Sequence, residues 1–195
     1  MKEMGLLAVE GVPEGLVIVC SFDPGETTGW AVHAVDRELL VVKGFRASLR
    51  DSGDYHIGQF KHADENTMAD MMAERVRWAW RQFIEDESTD TFVVVTESFR
   101  LRMMSRDPAL LSPVRITAKF EYAMKGAGLR MYEQEPVDAK RVVTDGRLRD
   151  WALYSSAAGE HARDAQRHGI LWLRKYSSTP RLRVGAGYGR KAVAA

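Results

Sequence analysis

Two apolar runs that each end on an acidic residue constrain the fold of this chain more than any other feature. The first occupies residues 16–23 and ends at Asp23, and the second occupies residues 91–97 and ends at Glu97. Short apolar runs bounded by turn residues are typical of buried β-strands. The intervening residues 65–86 carry apolar side chains every three or four positions, which predicts an amphipathic helix.

The residues after the first run predict an antiparallel meander. We predict strands over residues 28–36 and 39–47, joined by short polar turns, and a polar loop over residues 48–64. Two hairpins leave the third strand parallel to the first. A crossover through the helix then returns residues 91–97 as a strand parallel to the first, on its free side.

The rest of the chain predicts further helices and one short strand. We predict helices over residues 114–126 and 158–176, a strand over residues 129–134, and a helix or turn opened by Pro136. Cys20 is the single cysteine, so a disulfide framework is excluded, and a buried thiol in a reducing compartment is expected. No apolar run approaches the length of a membrane span.

Asp23 and Glu97 are expected to meet at one edge of the sheet. Both end neighbouring parallel strands, and ligands bind at that edge in open α/β sheets. Two close carboxylates repel each other, and a divalent cation that prefers oxygen ligands, Mg²⁺ or Mn²⁺, relieves the repulsion. For the DPG tripeptide at Asp23, taken alone, ordinary turn chemistry is the simpler interpretation.

The late helix supplies further candidates. His161 and Asp164 share one helical face, and His168 falls on that face one turn later. Three small residues would let this helix pack close to the sheet. They are Ala162, Ala165 and Gly169. For this helix alone, a solvated polar face is the alternative, but its combination with two acids at strand ends is uncommon.

Four short motifs follow one another along residues 17–175. They are FDPGETTGWAV, VVVTESF, EPVDAKRVVTDGR and HARDAQRHGILWL. In composition and order they resemble the RuvC family of Holliday-junction resolvases, within the RNase H-like superfamily. The resemblance implies an α/β, RNase H-like fold: a mixed five-stranded sheet, with three antiparallel strands followed by two parallel ones, flanked by helices.

The same resemblance implies a metal-dependent endodeoxyribonuclease that cleaves branched DNA by hydrolysis at two Mg²⁺ (or Mn²⁺) ions. The implied metal ligands are Asp23, Glu97 and Asp164, with His161 at a position where members of the family carry Asp or His. Lys140 matches a basic residue near the scissile phosphate. A second essential lysine is not assignable, because the segment that follows Lys140 aligns only roughly.

The DNA-binding residues that the resemblance implies begin in two basic segments. Arg141, Arg147 and Arg149 would extend a phosphate-binding rim. In the loop after the second strand acid, the family places a phenylalanine that helps to hold an opened junction. Here Phe99 stands at a different spacing, with three arginines nearby. These are Arg100, Arg102 and Arg106.

Residues 177–195 are predicted to be a flexible basic tail on a nuclease domain of residues 1–176. From Arg174 onwards the chain has six basic residues and no acid, whereas the remainder has 22 basic and 27 acidic residues. A basic tail on an acidic body is typical of nucleic-acid binding, and a solvated tail without a partner is the alternative. The predicted phosphate contacts are Arg181, Arg183, Arg190 and Lys191.

Three other functional classes share some of these features. They are another RNase H-fold nuclease acting on flaps or RNA/DNA hybrids, an actin-like or sugar-kinase-type ATP-binding domain, and a non-catalytic DNA-binding module. The ATP-binding class normally needs two such domains, and three retained carboxylates argue against a decayed nuclease. The resemblance implies a homodimer that binds four-way junctions, flaps or forks. Without a long apolar run, no membrane association is expected. The single cysteine fits a reducing compartment, so a cytoplasmic location is expected, that of the host if the chain is phage-encoded.

Overall fold

One mixed sheet organises the protein, and helices cover both of its faces. The computed structural model describes residues 15–51, 53–84, 90–99 and 108–179. The strands are β1 (Leu16–Asp23), β2 (Thr27–Asp36), β3 (Asp54–Lys61), β4 (Thr91–Glu97) and β5 (Met131–Gln134). The helices are α1 (Arg37–Val42), α2 (Phe45–Asp51), α3 (Glu65–Phe83), α4 (Pro108–Gly126), α5 (Pro136–Val142), α6 (Asp145–Asp150) and α7 (Glu160–Ser178).

β1 lies at the centre of the sheet, whose strand order is β3-β2-β1-β4-β5. β2 is antiparallel to both β1 and β3, whereas β4 is parallel to β1 and β5 is parallel to β4. The predicted sheet of three antiparallel and two parallel strands is confirmed. The predicted position of β4, on the free side of β1 and reached by a helical crossover, is confirmed as well.

The position of the third strand was predicted wrongly. Residues 39–47 belong to α1, α2 and the turn between them, and β3 lies inside residues 48–64, which were predicted to be a loop. The Asp36 side chain caps α1 by accepting a hydrogen bond from the Leu39 amide at 2.7 Å, which favours a helix where the apolar run alone predicted a strand. β3 is an edge strand in which no residue is fully buried, and it lacks the apolar alternation that marks a strand in sequence.

Alternate residues of β1 face two separate cores. Ile18 and Phe22 pack with residues of α3 and α4, whereas Val17 and Val19 pack with residues of α7 on the other face of the sheet. The apolar stripe of α3 belongs to the first core, as predicted. Its buried members include Met68, Met72, Val76, Ala79, Trp80 and Phe83.

The remaining predicted elements are present with shifted ends. α4 begins at Pro108, earlier than predicted, and α7 continues two residues beyond the predicted end at 176. Cys20 is buried, as predicted. None of the helices among the described residues is long and apolar enough to cross a membrane. The basic tail lies outside the described residues from Pro180 onwards and stays a prediction.

Candidate active site

Asp23 and Glu97 end neighbouring parallel strands at the same edge of the sheet. β1 and β4 are paired as far as Phe22 and Thr96, so the two acids are the next residues on adjacent strands. Their proximity, predicted from strand direction, is confirmed. The carboxyl ends of parallel strands thus bring two negative charges to one edge of the sheet.

The beginning of α7 packs closely against β2 because β2 has a glycine there. Gly29 pairs with Asp23, and a Cβ on Gly29 would lie 1.8 Å from the backbone oxygen of His161. Further along α7, the Ser21 hydroxyl donates a hydrogen bond to the backbone oxygen of Ala165 at 2.8 Å. The small residues predicted to allow this close packing are all buried. They are Ala162, Ala165 and Gly169.

His161 contacts the Asp23 carboxylate. Its Nδ1 lies 2.7 Å from Oδ2 of Asp23. Burial raises the pKa of Asp23, the hydrogen bond with His161 lowers it, and the charges of Glu97 and Asp164 raise it again, so that it stands above its ordinary value. The bond to Asp23 in turn raises the pKa of His161. Positive charge beside Asp23 is therefore electrostatically favourable.

Two cationic side chains contact Asp164 on its two oxygens. Lys140 Nζ lies 2.9 Å from Oδ2, and Arg167 donates a hydrogen bond to Oδ1. The Asp164 side chain is 7% exposed and that of Lys140 is 52% exposed, so the lysine reaches the acid from the surface. The hydrogen bond to Asp164 raises the pKa of Lys140. α5 therefore brings Lys140 to the carboxylates.

Arg167 is a residue of this site that the sequence reasoning missed. Besides Asp164, its guanidinium contacts the Asp145 carboxylate at the start of α6, and its Nε donates to the backbone oxygen of Val143 at 3.0 Å. Arg167 thereby ties α7 to the α5–α6 segment. Its spacing of three residues from Asp164, on the same helical face, was the available signal.

His168 contacts the second strand acid. Its Nε2 lies 3.0 Å from Oε2 of Glu97, and its Nδ1 lies 3.2 Å from Oε1 of Gln134, the last residue of β5. The sequence pattern placed His168 on the same face as His161, but neither of its two partners was predicted.

Comparison with solved structures identifies the fold. The structure of Thermus thermophilus RuvC in complex with a Holliday junction substrate matches with a TM-score of 0.56 and 14% identity, over 84% of this chain and 96% of that chain. The chain has the RNase H-like fold of RuvC. A further structure of Thermus thermophilus RuvC matches with a TM-score of 0.56 and 16% identity, over 87% of this chain and 97% of that chain.

The yeast mitochondrial Holliday junction resolvase Ydc2 also matches, with a TM-score of 0.43 and 13% identity, over 86% of this chain and 82% of that chain. No family model matches the chain, and a search of curated proteins found no match. The two RuvC structures confirm the resemblance drawn from the four motifs at the level of the fold.

The predicted DNA-binding residues on the RuvC-like fold lie partly within the described ranges. Arg141 is exposed on α5, which also carries Lys140, and Arg147 and Arg149 are exposed on α6. Phe99 follows Glu97 by two residues and is 40% exposed. The others lie outside the described residues. They are Arg100, Arg102, Arg106, Arg181, Arg183, Arg190 and Lys191.

The donor atoms at this edge of the RuvC-like sheet suit a hard divalent cation. Asp23, Glu97 and Asp164 offer carboxylate oxygens, and a cation would relieve the repulsion that helps to raise the pKa of Asp23. Across the described ranges, no three His, Cys, Asp or Glu side chains are oriented to hold one ion together. The carboxylates instead contact Lys140, Arg167 and the imidazoles, so a metal would compete with those contacts.

Proposed function

We propose that this chain is a metal-dependent endonuclease that cuts branched DNA such as Holliday junctions. One observation carries the proposal: carboxylates from β1, β4 and α7 converge, with a lysine, at the carboxyl edge of a sheet that has the RuvC fold. A solved structure with this fold is a complex with a Holliday junction substrate. The converging acids support metal-dependent hydrolysis, and the fold supports branched DNA as the class of substrate.

Asp23, Glu97 and Asp164 would hold two Mg²⁺ or Mn²⁺ ions, with His161 as a further ligand. When bound, two such ions activate water as a nucleophile and stabilise the leaving 3′-oxygen of a phosphodiester. Asp23 and Asp164 are buried, and Asp23 lies near both Glu97 and Asp164. That arrangement is costly without positive charge, as the raised pKa of Asp23 indicates.

Lys140 would bind the scissile phosphate. Its ammonium group is held beside the carboxylates by Asp164, and half of its side chain is exposed, so an incoming phosphate can reach it. Asp145 and the backbone oxygen of Val143 hold the Arg167 guanidinium independently of Lys140. Arg167 would therefore keep its hydrogen bond to Asp164 when Lys140 turns toward DNA. The carboxylate thus keeps its orientation while the lysine changes partner.

The DNA would extend from the site over α5 and α6, where Arg141, Arg147 and Arg149 would bind phosphates. Phe99, exposed beside Glu97, would contact an opened base step, with Arg100, Arg102 and Arg106 on the flanking phosphates. The four basic residues of the tail would add contacts without sequence preference. Two symmetric cuts require two sites, so we propose a homodimer acting in the cytoplasm.

Cleavage of matched DNA substrates tests the proposal. Four-way, three-way, flap and linear duplexes, together with an RNA/DNA hybrid, are incubated with wild type, Asp23→Asn and Asp70→Asn, and the cuts are mapped. Asp70 is an exposed acid on α3 and serves as the control. We expect Mg²⁺-dependent cuts in branched DNA by wild type and by Asp70→Asn, and none by Asp23→Asn.

Two other results would contradict the proposal. Cutting by Asp23→Asn at the wild-type rate would show that the carboxylates take no part in cleavage. ATP hydrolysis by the same preparation, without any nicking of DNA, would favour the ATP-binding alternative.

A further inference from the structure

His168 joins a candidate metal ligand to the neighbouring strand. Its side chain is 1% exposed, and its ring nitrogens contact two different strands. Nε2 lies 3.0 Å from the Glu97 carboxylate at the end of β4, and Nδ1 lies 3.2 Å from the Gln134 amide at the end of β5. One imidazole of α7 therefore connects both parallel strand ends at the edge where the acids meet.

The direction of the bond to Glu97 follows from its chemistry. An ionised carboxylate only accepts hydrogen bonds, so the shared hydrogen belongs to Nε2 of His168. The Gln134 amide can serve Nδ1 in either orientation, because its oxygen accepts and its nitrogen donates. His168 is thus the donor to Glu97 whichever way the Gln134 amide is turned.

Packing alone does not account for a histidine at this position. A buried imidazole costs free energy unless its nitrogens have partners, whereas an aliphatic side chain would fill the same space without that cost. Other buried positions of α7 carry aliphatic side chains, as at Ile170 and Leu173. Glu97, by contrast, is the last residue of β4 and is partly exposed, so its side chain needs a partner to keep one orientation.

We propose that His168 is a positioning residue that holds the Glu97 carboxylate in the orientation of a metal ligand, with Gln134 holding the imidazole from β5. The inference rests on the proposed function, because that function makes Glu97 a metal ligand. Groups that orient the ligands of metal sites typically change metal affinity or activity by about 10–100-fold when they are removed.

Two amide substitutions separate positioning from packing. In His168→Gln, the side-chain amide reaches the place of Nε2 and can donate to Glu97. In His168→Asn, the shorter amide reaches only the place of Nδ1, beside Gln134. We expect His168→Asn to weaken Mn²⁺ binding to the DNA-free full chain by about tenfold or more, as measured by isothermal titration calorimetry. We expect His168→Gln to retain most of the affinity.

His33 provides a matched control. It is fully buried and also packs against α7, where it lies beside Gly169, and its ring stacks on Tyr55 rather than on a candidate metal ligand. His33→Asn should lower stability and leave Mn²⁺ affinity unchanged. Wild-type affinity in His168→Asn, or equal losses in both His168 variants, overturns the inference.

A second measurement tests the contact without metal. Urea unfolding of His168→Asn, Glu97→Ala and the double variant in EDTA forms a double-mutant cycle, in which we expect non-additive losses. Additive losses would overturn the inference. If His168→Asn does not fold, Gln134→Leu decides: a loss of Mn²⁺ affinity supports the positioning role, and unchanged affinity overturns it.

The failure of this inference can be told from the failure of the proposed function. If wild type binds Mn²⁺ and cleaves DNA but the His168 variants behave as wild type, only the positioning role is wrong. If wild type binds no Mn²⁺ under conditions in which it is folded, the proposed function and the positioning role are both wrong.

Discussion

Gly29 of β2 lies against the backbone of His161 with no room for a side chain between them. A Cβ on Gly29 would be 1.8 Å from the His161 oxygen and 2.7 Å from the Ala162 nitrogen. Because Gly29 pairs with Asp23 across β1 and β2, this contact determines how closely α7 approaches the first carboxylate. The geometry of the site therefore depends on a residue that carries no functional group.

Gly29→Ala should displace the start of α7 from the sheet. We expect a loss of stability of about 1–3 kcal/mol or more, because the neighbouring atoms are backbone and cannot rotate away. The loss is measured by urea unfolding, together with cleavage of a four-way junction, which should fall sharply. Gly126→Ala is the control, since its Cβ would meet nothing within 4 Å. Wild-type cleavage in Gly29→Ala would contradict the close approach of α7.

Asp23→Asn should abolish cleavage while making the metal-free protein more stable at neutral pH. The pKa of Asp23 is raised in the folded protein, so its ionisation costs folding free energy once the pH exceeds the ordinary carboxyl range. The uncharged amide avoids that cost. Thermal unfolding at pH 7 checks this: Tm in EDTA should rise in the variant, whereas Mg²⁺ should raise Tm only in wild type. A lower Tm in EDTA would refute the electrostatic argument.

Lys140→Ala should slow cleavage much more than it weakens DNA binding. The lysine lies beside the carboxylates, whereas in the proposed complex most of the binding energy would come from phosphate contacts spread over other basic residues. Single-turnover cleavage and a binding titration in Ca²⁺ compare the two effects, with the surface variant Lys125→Ala as the control. Equal losses in rate and affinity would show that Lys140 makes only an ordinary contact with the DNA backbone.

His33 should make the protein less stable as the pH falls below 6.5. Burial lowers the pKa of His33 to about 4, so the unfolded chain binds a proton in a range where the folded chain does not. At about 1.36 kcal/mol for each pKa unit, roughly 3 kcal/mol of stability should be lost between pH 6.5 and pH 4. Urea unfolding across this range should show a smaller loss in His33→Leu than in wild type. The same slope in both proteins would contradict the prediction.

Deleting residues 180–195 should weaken binding to branched and linear DNA alike and leave metal binding unchanged. The segment holds four basic residues and no acid. If each contacts a phosphate of duplex DNA, the slope of log K against log salt should flatten by up to about 3.6. Binding titrations at several salt concentrations measure it. If the salt slope is unchanged but the preference for junctions is lost, the tail recognises the structure of the DNA rather than its charge.

The amino-acid sequence by itself determined the features that are local or periodic. β1 and β4 follow from short apolar runs bounded by turn residues. The stripe of α3 and the shared face of His161 and Asp164 follow from the helical period of 3.6 residues. Hairpins reverse strand direction and a helical crossover keeps it, and these two rules were enough to predict that Asp23 and Glu97 lie at one edge of the sheet.

Only the tertiary structure decided the features that depend on partners distant in sequence. β3 is an edge strand, and its backbone pairing with β2, rather than any apolar pattern, makes it a strand. The roles of Arg167 and His168 depend on which carboxylate each one meets when α7 packs on the sheet. A buried polar side chain needs a hydrogen-bond partner, and Arg167 and His168 both have partners on other elements. Which partner each one meets there depends on how the elements pack, and residue spacing along one helix carries no information about that packing.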